Sequence, residues 1–420
     1  MVIEKKSILY FSLYVTYRIL LDCIYVNYIY PVFDYTGMHM NGNTYSYVIS
    51  WIVCVGIYPL FYVNIKKNSF EGLCVYMLGI LSFVPTTTLL GLYGVDTKFF
   101  ILQVVYWVFL FGLIYVLKPL KLPWFPCKQS KYIEGFWLLF STIVIVYVSG
   151  RYTGFRLHFD LIDVYGIRFE ERDFNIPILL KYFHNAINTI LPVLFILCLF
   201  NKRHKLAVFI AFIIFLNFSI GGHKSIIFTL FLAVLAYYFF SWKKKNLLFV
   251  GLIGICMISI LEPLIFKTGV FYSVFINRLL FIPSQLHIAY YNFFQENELL
   301  YFKQGILRWL GFDSPYSLPI EFLIGGQNSG NYEIRANNGL FTDAYMNLGD
   351  ISVLVFPFIL VFIIKLLGAA ARGLDARLMF LPVYVTVSAL LSTTFSTALL
   401  NNGLVLLMFF LLSLPKKSGV

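Results

Sequence analysis

The chain has 420 residues, of which 60% are apolar and 19% aromatic, whereas only 12% are charged. A soluble protein of this length could not bury so much apolar surface in one core. The composition therefore excludes a soluble enzyme, a disordered chain and a collagen-like fibre, and it indicates a polytopic membrane protein. The net charge of +12 comes from 32 Lys and Arg against 20 Asp and Glu.

Membrane-spanning helices are the first elements that the sequence predicts. A helix that crosses a bilayer needs about 20 mostly apolar residues, and stretches of roughly that length recur along the whole chain. The twelve stretches are residues 7–30, 45–64, 72–92, 98–117, 132–150, 176–200, 206–221, 224–241, 246–264, 348–367, 378–395 and 397–414. We therefore expect an all-α fold in which residues 1–420 form a single polytopic membrane domain. In the first stretch, Arg18 and Asp22 are four residues apart, a spacing that predicts a buried structural ion pair.

The distribution of charge predicts the orientation of these helices. With a cytoplasmic N-terminus, the inner segments carry 18 Lys and Arg against 4 Asp and Glu, and the outer segments carry 12 against 15. Because short cytoplasmic loops of membrane proteins are enriched in Lys and Arg, we expect twelve spans with both termini in the cytoplasm. The longest basic block is only Lys243 to Lys245, so membrane topology explains the excess charge better than nucleic-acid binding does.

Two larger loops fall on the outer side in this topology, at about residues 150–175 and 267–347. The second loop includes residues 271–294, which are apolar enough to suggest a thirteenth span. Polar pairs recur there every seven residues, however, and Pro283 interrupts the middle. We expect two short amphipathic helices at the outer membrane surface instead.

The first outer loop is rich in arginine. Its four arginines are Arg151, Arg156, Arg168 and Arg172. The planar guanidinium group suits phosphate oxygens, and a helix would place Arg168 and Arg172 on one face. The same loop contains acidic residues, including Glu170 and Glu171, so a loop held together by salt bridges is the alternative interpretation.

A glycine–basic hairpin, SIGGHKSIIF, joins the seventh and eighth stretches. Gly221 and Gly222 end one predicted helix, and His223 and Lys224 begin the next. The N-terminus of a helix attracts anions, so Lys224 is well placed to bind one; a tight turn whose lysine reaches water is the alternative. The hairpin does not meet the P-loop pattern GxxxxGK[ST], which argues against nucleotide binding.

The second outer loop supplies Arg278, Arg308 and Arg335 and ends in NNGLFTDAYMNLGD. Asp343 in this motif lies just before the tenth stretch, among amide and aromatic side chains that suit a sugar. It is a candidate general base or, equally, a carboxylate that caps a helix. Neither an HExxH nor a DxD pattern occurs, so the sequence predicts no metal ion and no cofactor.

About twelve spans, an arginine-rich outer loop, the GGHKS hairpin and a longer outer loop that ends in NNGLFTDAYMNLGD resemble the Wzy family. Its members are the O-antigen and capsular-polysaccharide repeat-unit polymerases. The resemblance implies a metal-independent, GT-C-like glycosyltransferase in the bacterial cytoplasmic membrane. Such an enzyme transfers a growing glycan from undecaprenyl diphosphate to a new lipid-linked repeat unit at the outer face. The implied partners are the lipid-linked oligosaccharide, membrane lipid and, as a candidate, a chain-length regulator protein.

This transfer needs cations that neutralise the diphosphate leaving group where negative charge develops. The cations expected to do so are Arg168 and Arg278 in catalysis, and Arg156, Arg335 and Lys224 in diphosphate binding. The acceptor hydroxyl needs a base. The candidates are Asp343 first, with His223 and Glu262 behind it.

Two other classes of protein stay open. A lipid-linked oligosaccharide flippase or transporter also fits about twelve spans, although such proteins usually show two related halves and charges inside the spans. A related polyprenyl-phosphate glycosyltransferase or glycan ligase would share the donor and the outer-face site.

Overall fold

The structure is a computed structural model that describes residues 5–122, 130–160, 164–414 and residue 416. Within these ranges the chain forms helices joined by turns, and none of the described residues belongs to a β-strand. In chain order the helices are α1 (Lys6–Thr36), α2 (Thr44–Lys66), α3 (Phe70–Leu92), α4 (Thr97–Val116), α5 (Tyr132–Thr153), α6 (Tyr165–Arg172), α7 (Ile178–Phe200), α8 (His204–Gly221), α9 (Lys224–Phe239), α10 (Leu247–Phe266), α11 (residues 270–296), α12 (Ile320–Ser329), α13 (Phe341–Ala371), α14 (Ala376–Ser392) and α15 (Phe395–Ser413).

In the part of the chain that the structure describes, ten of these helices are long and apolar enough to cross a membrane. Two shorter apolar helices, α9 and α14, coincide with the eighth and eleventh stretches of the sequence prediction. The prediction of an all-helical, polytopic membrane protein is therefore confirmed.

The helices group into two compact units. The first unit comprises Met1–Lys118, Lys245–Ile364 and Val387–Phe395, and the second comprises Pro119–Lys244, Lys365–Thr386 and Ser396–Val420. That residues 1–420 form a single membrane domain stays a prediction.

The core of the first unit is aromatic. Tyr14 of α1, Phe61 of α2 and Tyr76 of α3 surround Phe249 of α10, with ring centroids 5.2 to 6.4 Å from the Phe249 ring. All four side chains are fully buried. Because lipid tails are as apolar as these rings, helices in a bilayer associate through close packing rather than through the hydrophobic effect, and large flat rings supply that packing.

Arg18 and Asp22 on α1 form the predicted ion pair, with Nε 2.7 Å from Oδ1. The buried Arg18 guanidinium also donates to Thr87 Oγ1 at 2.6 Å and to Ser50 Oγ at 3.2 Å, and the Tyr47 hydroxyl donates to Asp22 Oδ2 at 3.1 Å. These partners lie on α2 and α3. The pair therefore ties three helices together, which is a structural role and confirms the prediction made from its spacing.

Three prolines of the first unit each follow a π-helical segment. The segments are Tyr25–Ile29 before Pro31, Gly79–Phe83 before Pro85 and Tyr272–Phe281 before Pro283. In each case the proline is the second residue of the α-helical segment that follows. Proline has no N–H and its ring clashes with the carbonyl four residues earlier. A π-turn shifts the bonding to the fifth residue, so the helix continues through the proline.

Helix α11 differs from the two short surface helices predicted for residues 271–294, and that prediction is wrong. The helix runs through Pro283, whose carbonyl accepts a hydrogen bond from Asn338 Nδ2 at 2.8 Å. The seven-residue stripe formed by Asn277, Ser284 and Tyr291 is buried. The polar stripe therefore faces protein rather than water, and α11 is not among the helices of the described chain that are apolar enough to cross a membrane.

Helix α7 is the central helix of the second unit, and α5, α8, α9 and α15 pack around it. The contact with α15 is close, because a Cβ added at Gly403 would lie 2.3 Å from the Cβ of Ala186. Helix α8 returns antiparallel to α7, and α9 returns antiparallel to α8. The start of α7, the end of α8 and the start of α9 therefore lie at one side of this unit, and α6 packs there against α8.

We expect Arg18→Met to destabilise the protein strongly, since it leaves the buried Asp22 carboxylate without its cation. Breaking a buried pair on one side costs about 3–5 kcal/mol, which thermal unfolding in detergent micelles will report as a lower Tm. Arg18→Lys retains the charge but cannot make all the hydrogen bonds of the guanidinium group. Its Tm should therefore lie between those of the wild type and Arg18→Met. Lys244→Met, at an exposed lysine, is the control; an Arg18→Met variant as stable as this control would contradict the role of the network.

Candidate functional site

The arginine-rich segment folds into the short helix α6 of the second unit. Val164, which precedes the helix, and Ile167 are buried, whereas Phe169, Glu170 and Arg172 are exposed. One face of α6 therefore lies against the protein and the other carries charge, and Arg168 and Arg172 lie on the same short helix.

Two glycines explain how α6 can lie so close to the hairpin between α8 and α9. A Cβ at Gly221 would lie 2.5 Å from Glu171 Oε2, and a Cβ at Gly222 would lie 3.0 Å from the Cβ of Val164. Gly222 also has φ of +62°, a conformation that residues with a side chain rarely adopt. The bare backbone is thus the surface on which α6 packs.

Arg168 fastens α6 to this backbone. Its Nε and Nη2 each lie 3.3 Å from the carbonyl oxygen of Gly222 and donate to it. The fork geometry of the guanidinium group makes this double contact possible. Arg168 is half-buried, and the contact with Gly222 holds its side chain beside the hairpin.

Glu171 and His223 are in hydrogen-bond contact across the same junction, with Oε2 2.8 Å from Nε2. Burial by itself raises the pKa of the Glu171 carboxyl. The hydrogen bond and charge of His223 outweigh this effect, with smaller contributions from His184 and Lys181, and hold the pKa below its ordinary value. Glu171 is therefore an ionised, largely buried carboxylate held against the hairpin.

Further cations surround this junction. Lys224, the first residue of α9, is exposed, as is Lys181 on the first turn of α7. Arg156 Nη2 lies 2.6 Å from Glu170 Oε2 in an exposed ion pair, and this contact lowers the pKa of Glu170. The structure therefore brings together three of the predicted cations, Arg156, Arg168 and Lys224, in one unit.

A polar track continues from the junction into the helices of the second unit. Asn217 lies one turn before Gly221 on α8, and its Oδ1 is 2.7 Å from His184 Nε2 on α7. The Asn217 amide in turn donates to Asn188 Oδ1. His184 and Asn217 are buried, so polar groups extend below the hairpin between two otherwise apolar helices.

The other predicted cations lie in the first unit. Arg278 is exposed on α11 and makes no hydrogen bond or ion pair with the described residues. Arg335 is also exposed, and its guanidinium lies 4.7 Å from the ring centre of Phe322. The catalytic and diphosphate-binding roles given to these two arginines stay predictions.

Asp343 is placed as a capping carboxylate rather than at a surface. Its Oδ2 accepts from the backbone N–H of Phe395 at 2.6 Å, and its Oδ1 accepts from Asn347 Nδ2 at 3.1 Å. Only 2% of Asp343 is exposed. Of the two interpretations that the sequence left open, this geometry supports the cap, although the N–H group that Asp343 caps is that of Phe395 and not one of its own helix.

The carboxylate of Glu262 also accepts hydrogen bonds from backbone N–H groups. Its two carboxylate oxygens accept from the backbone N–H groups of Val270 and Phe271, at 3.0 and 2.8 Å, and from the Thr268 hydroxyl at 2.7 Å. Glu262 thereby caps the start of α11. Of the candidate bases, His223 is the one whose ring is half-exposed, at 49% of its side chain.

Sequence reasoning missed Glu171 as a partner of His223 and Lys181 as a neighbour of the hairpin. Among the described residues, no three His, Cys, Asp or Glu side chains are grouped so that they could hold a metal ion. No protein-family model, curated protein or solved structure matches this chain.

We expect Gly221→Ala to displace α6, because the added Cβ would overlap the Glu171 carboxylate. Hydrogen–deuterium exchange measured by mass spectrometry should become at least about tenfold faster in residues 165–172. Gly135→Ala is the matched control, since a Cβ at this helical glycine of the same unit meets nothing within 4 Å. Equal exchange in both variants would show that the close contact does not hold α6.

The lowered pKa of Glu171 predicts a pH-dependent stability. The contact of the ionised Glu171 with His223 stabilises the folded state above the unfolded pKa of about 4.3, and this contribution is lost as the pH falls through the lower folded pKa. The Tm of the wild type should therefore exceed that of Glu171→Gln near neutral pH, and the two should converge in acid. Glu170→Gln, at the exposed pair, should show a smaller difference; a difference for Glu171→Gln that does not depend on pH would contradict the assignment.

Proposed function

We propose that the protein is a membrane glycosyltransferase that joins lipid-diphosphate-linked oligosaccharide repeat units into a surface polysaccharide. The observation that carries the proposal is the packing of α6 on the glycine hairpin. This packing gathers Arg156, Arg168, Lys181 and Lys224 at the ends of membrane helices, where a lipid-linked diphosphate would lie. Guanidinium and ammonium groups are the usual protein ligands of phosphate oxygens.

The distribution of charge at the two ends of these helices supports a site on the outer side of the membrane. The opposite ends of the same helices carry Lys202, Arg203 and Lys205 after α7, and Lys243 and Lys244 after α9. By the positive-inside rule, these lysine- and arginine-rich ends face the cytoplasm. The cation cluster then faces outward, from a bacterial cytoplasmic membrane with both termini inside.

The ten longer helices together with α9 and α14 support twelve spans. An even number of spans leaves both termini on the same side of the membrane, which agrees with this orientation. The GT-C-like architecture with two larger outer loops belongs to the same proposal. The resemblance of the GGHKS hairpin and the arginine-rich loop to the repeat-unit polymerases is its other support.

The proposed transfer requires that the protein position the two substrates and stabilise the negative charge of the leaving diphosphate. The bond between the anomeric carbon of the growing glycan and the diphosphate oxygen breaks, and its electron pair leaves with the diphosphate. A hydroxyl oxygen of the new repeat unit forms the new bond. Preorganised cations stabilise the charge that develops on the leaving group, and Arg168, held at Gly222, is the best fixed of them.

The experiment that tests this function uses the purified protein in liposomes with a polyprenyl-diphosphate-linked repeat unit. A ladder of longer lipid-linked glycans is expected. Movement of the substrate between leaflets without a ladder would overturn the proposal in favour of a flippase. Transfer of the glycan only to a different, added acceptor would overturn it in favour of a ligase.

In this assay we expect Arg168→Ala to lower the rate of chain extension by roughly 10²–10³-fold, the usual effect of removing one preorganised group that stabilises developing charge. Arg172→Ala is the matched control, because Arg172 lies one turn further on the same helix and its guanidinium rests on the Phe169 ring, 5.0 Å from its centre. Arg278→Ala in parallel tests the predicted role in the first unit. Equal rates for Arg168→Ala and Arg172→Ala would contradict the proposed site.

A further inference from the structure

His223 combines accessibility with a fixed orientation. It precedes α9 in the hairpin and makes no capping hydrogen bond with that helix through its side chain. Its Nε2 faces Glu171 Oε2 at 2.8 Å, and about half of the side chain is exposed. Its other ring nitrogen, Nδ1, has no hydrogen-bond partner among the described residues.

The carboxylate sets the tautomer of this ring. An ionised Glu171 can only accept a hydrogen bond, so the proton of the neutral imidazole lies on Nε2 and the lone pair lies on Nδ1. A carboxylate that orients a histidine in this way also stabilises the imidazolium ion that forms when the ring takes up a proton. The open nitrogen is thus the basic one.

Glu171 is held firmly enough for this task. Its carboxylate rests on the backbone of Gly221, where a Cβ would not fit, and 23% of its side chain is exposed. Asp343 and Glu262, by contrast, direct their oxygens to backbone N–H groups. Glu171 instead directs an oxygen to the imidazole of His223, about half of whose side chain is exposed.

We propose that His223 and Glu171 form the general-base dyad of the glycosyl transfer, an inference that rests on the proposed function. Nδ1 of His223 takes the proton of the acceptor hydroxyl as the O–H bond breaks. The oxygen uses that electron pair to form the bond to the anomeric carbon, and the carbon–oxygen bond to the diphosphate breaks. The diphosphate leaves with its electron pair beside Arg168 and Lys224, and Glu171 stabilises the charged imidazole. The acceptor is therefore a sugar hydroxyl presented at the hairpin.

The alternative to a catalytic dyad is that the contact between Glu171 and His223 has a purely structural role. In that case the Glu171–His223 contact only fastens α6 to the hairpin, and its loss would lower stability and substrate binding together with activity. His223→Gln separates the two readings. Glutamine can still donate a side-chain N–H to Glu171, but it has no basic nitrogen.

The experiment measures single-step chain extension in proteoliposomes, with the lipid-linked acceptor varied. For His223→Gln we expect kcat to fall by roughly 10²–10⁴-fold, the usual contribution of a positioned base, with KM within about twofold and Tm unchanged. Binding of a sugar-free polyprenyl diphosphate should also be unchanged. For His223→Ala, added imidazole should restore part of kcat, because it can supply the missing base.

Three results would overturn the dyad. The first is a wild-type kcat in His223→Gln. The second is a joint loss of Tm, diphosphate binding and activity in that variant. The third is a His223→Ala variant that imidazole does not rescue. If the wild type itself makes no extended glycan, the proposed function fails and the dyad fails with it; if the wild type extends the glycan and His223→Gln does so equally well, the dyad alone fails.

Discussion

Hydrogen bonding of the backbone in apolar surroundings is the constraint on which this structure depends, because lipid offers no partner for an open N–H group. Acidic side chains meet this need at several helix ends of the first unit. Asp96 accepts from the N–H of Phe99 at the start of α4, Asp343 accepts from the N–H of Phe395, and Glu262 accepts from two N–H groups at the start of α11. A carboxylate oxygen used in this way stabilises the start of a helix. Glu171 differs from them because its partner is a titratable side chain, His223, and not a backbone N–H group.

The same constraint accounts for the unusual helices of the first unit. A proline in the middle of a membrane helix frees one carbonyl and normally bends the chain. Here the π-helical turns before Pro31, Pro85 and Pro283 change the bonding pattern at the point where the proline interrupts it. The helices stay continuous, and α11 can therefore enter the core of its unit, where its polar stripe meets protein groups such as the carbonyl of Thr36, which accepts from Gln285 Nε2 at 3.1 Å.

The sequence predicts what is local and leaves open what is tertiary. Apolar stretches coincide with the helices, and the spacing of Arg18 and Asp22 indicates their pair, because both signals depend on neighbours along one helix. The stripe on α11 has the same period whether it faces water or protein, so burial could not be read from it. Asp343 caps a backbone group 52 residues away, and Glu171 meets His223 only because α6 folds back. The paired glycines were the one available signal, since adjacent glycines at a helix end indicate a close backbone approach.

The ion pair between Arg156 and Glu170 is more exposed than the neighbouring contact between Glu171 and His223, and it can therefore exchange partners more easily. Both of its side chains are exposed, and a pair of this kind contributes only about 0–1 kcal/mol in water. Under the proposed function, a doubly charged anion at the hairpin would compete only with this weak, salt-screened ion pair. Under the proposed function, Glu170 would serve as a temporary counter-ion that keeps the arginine in place in the empty site and that the diphosphate would replace.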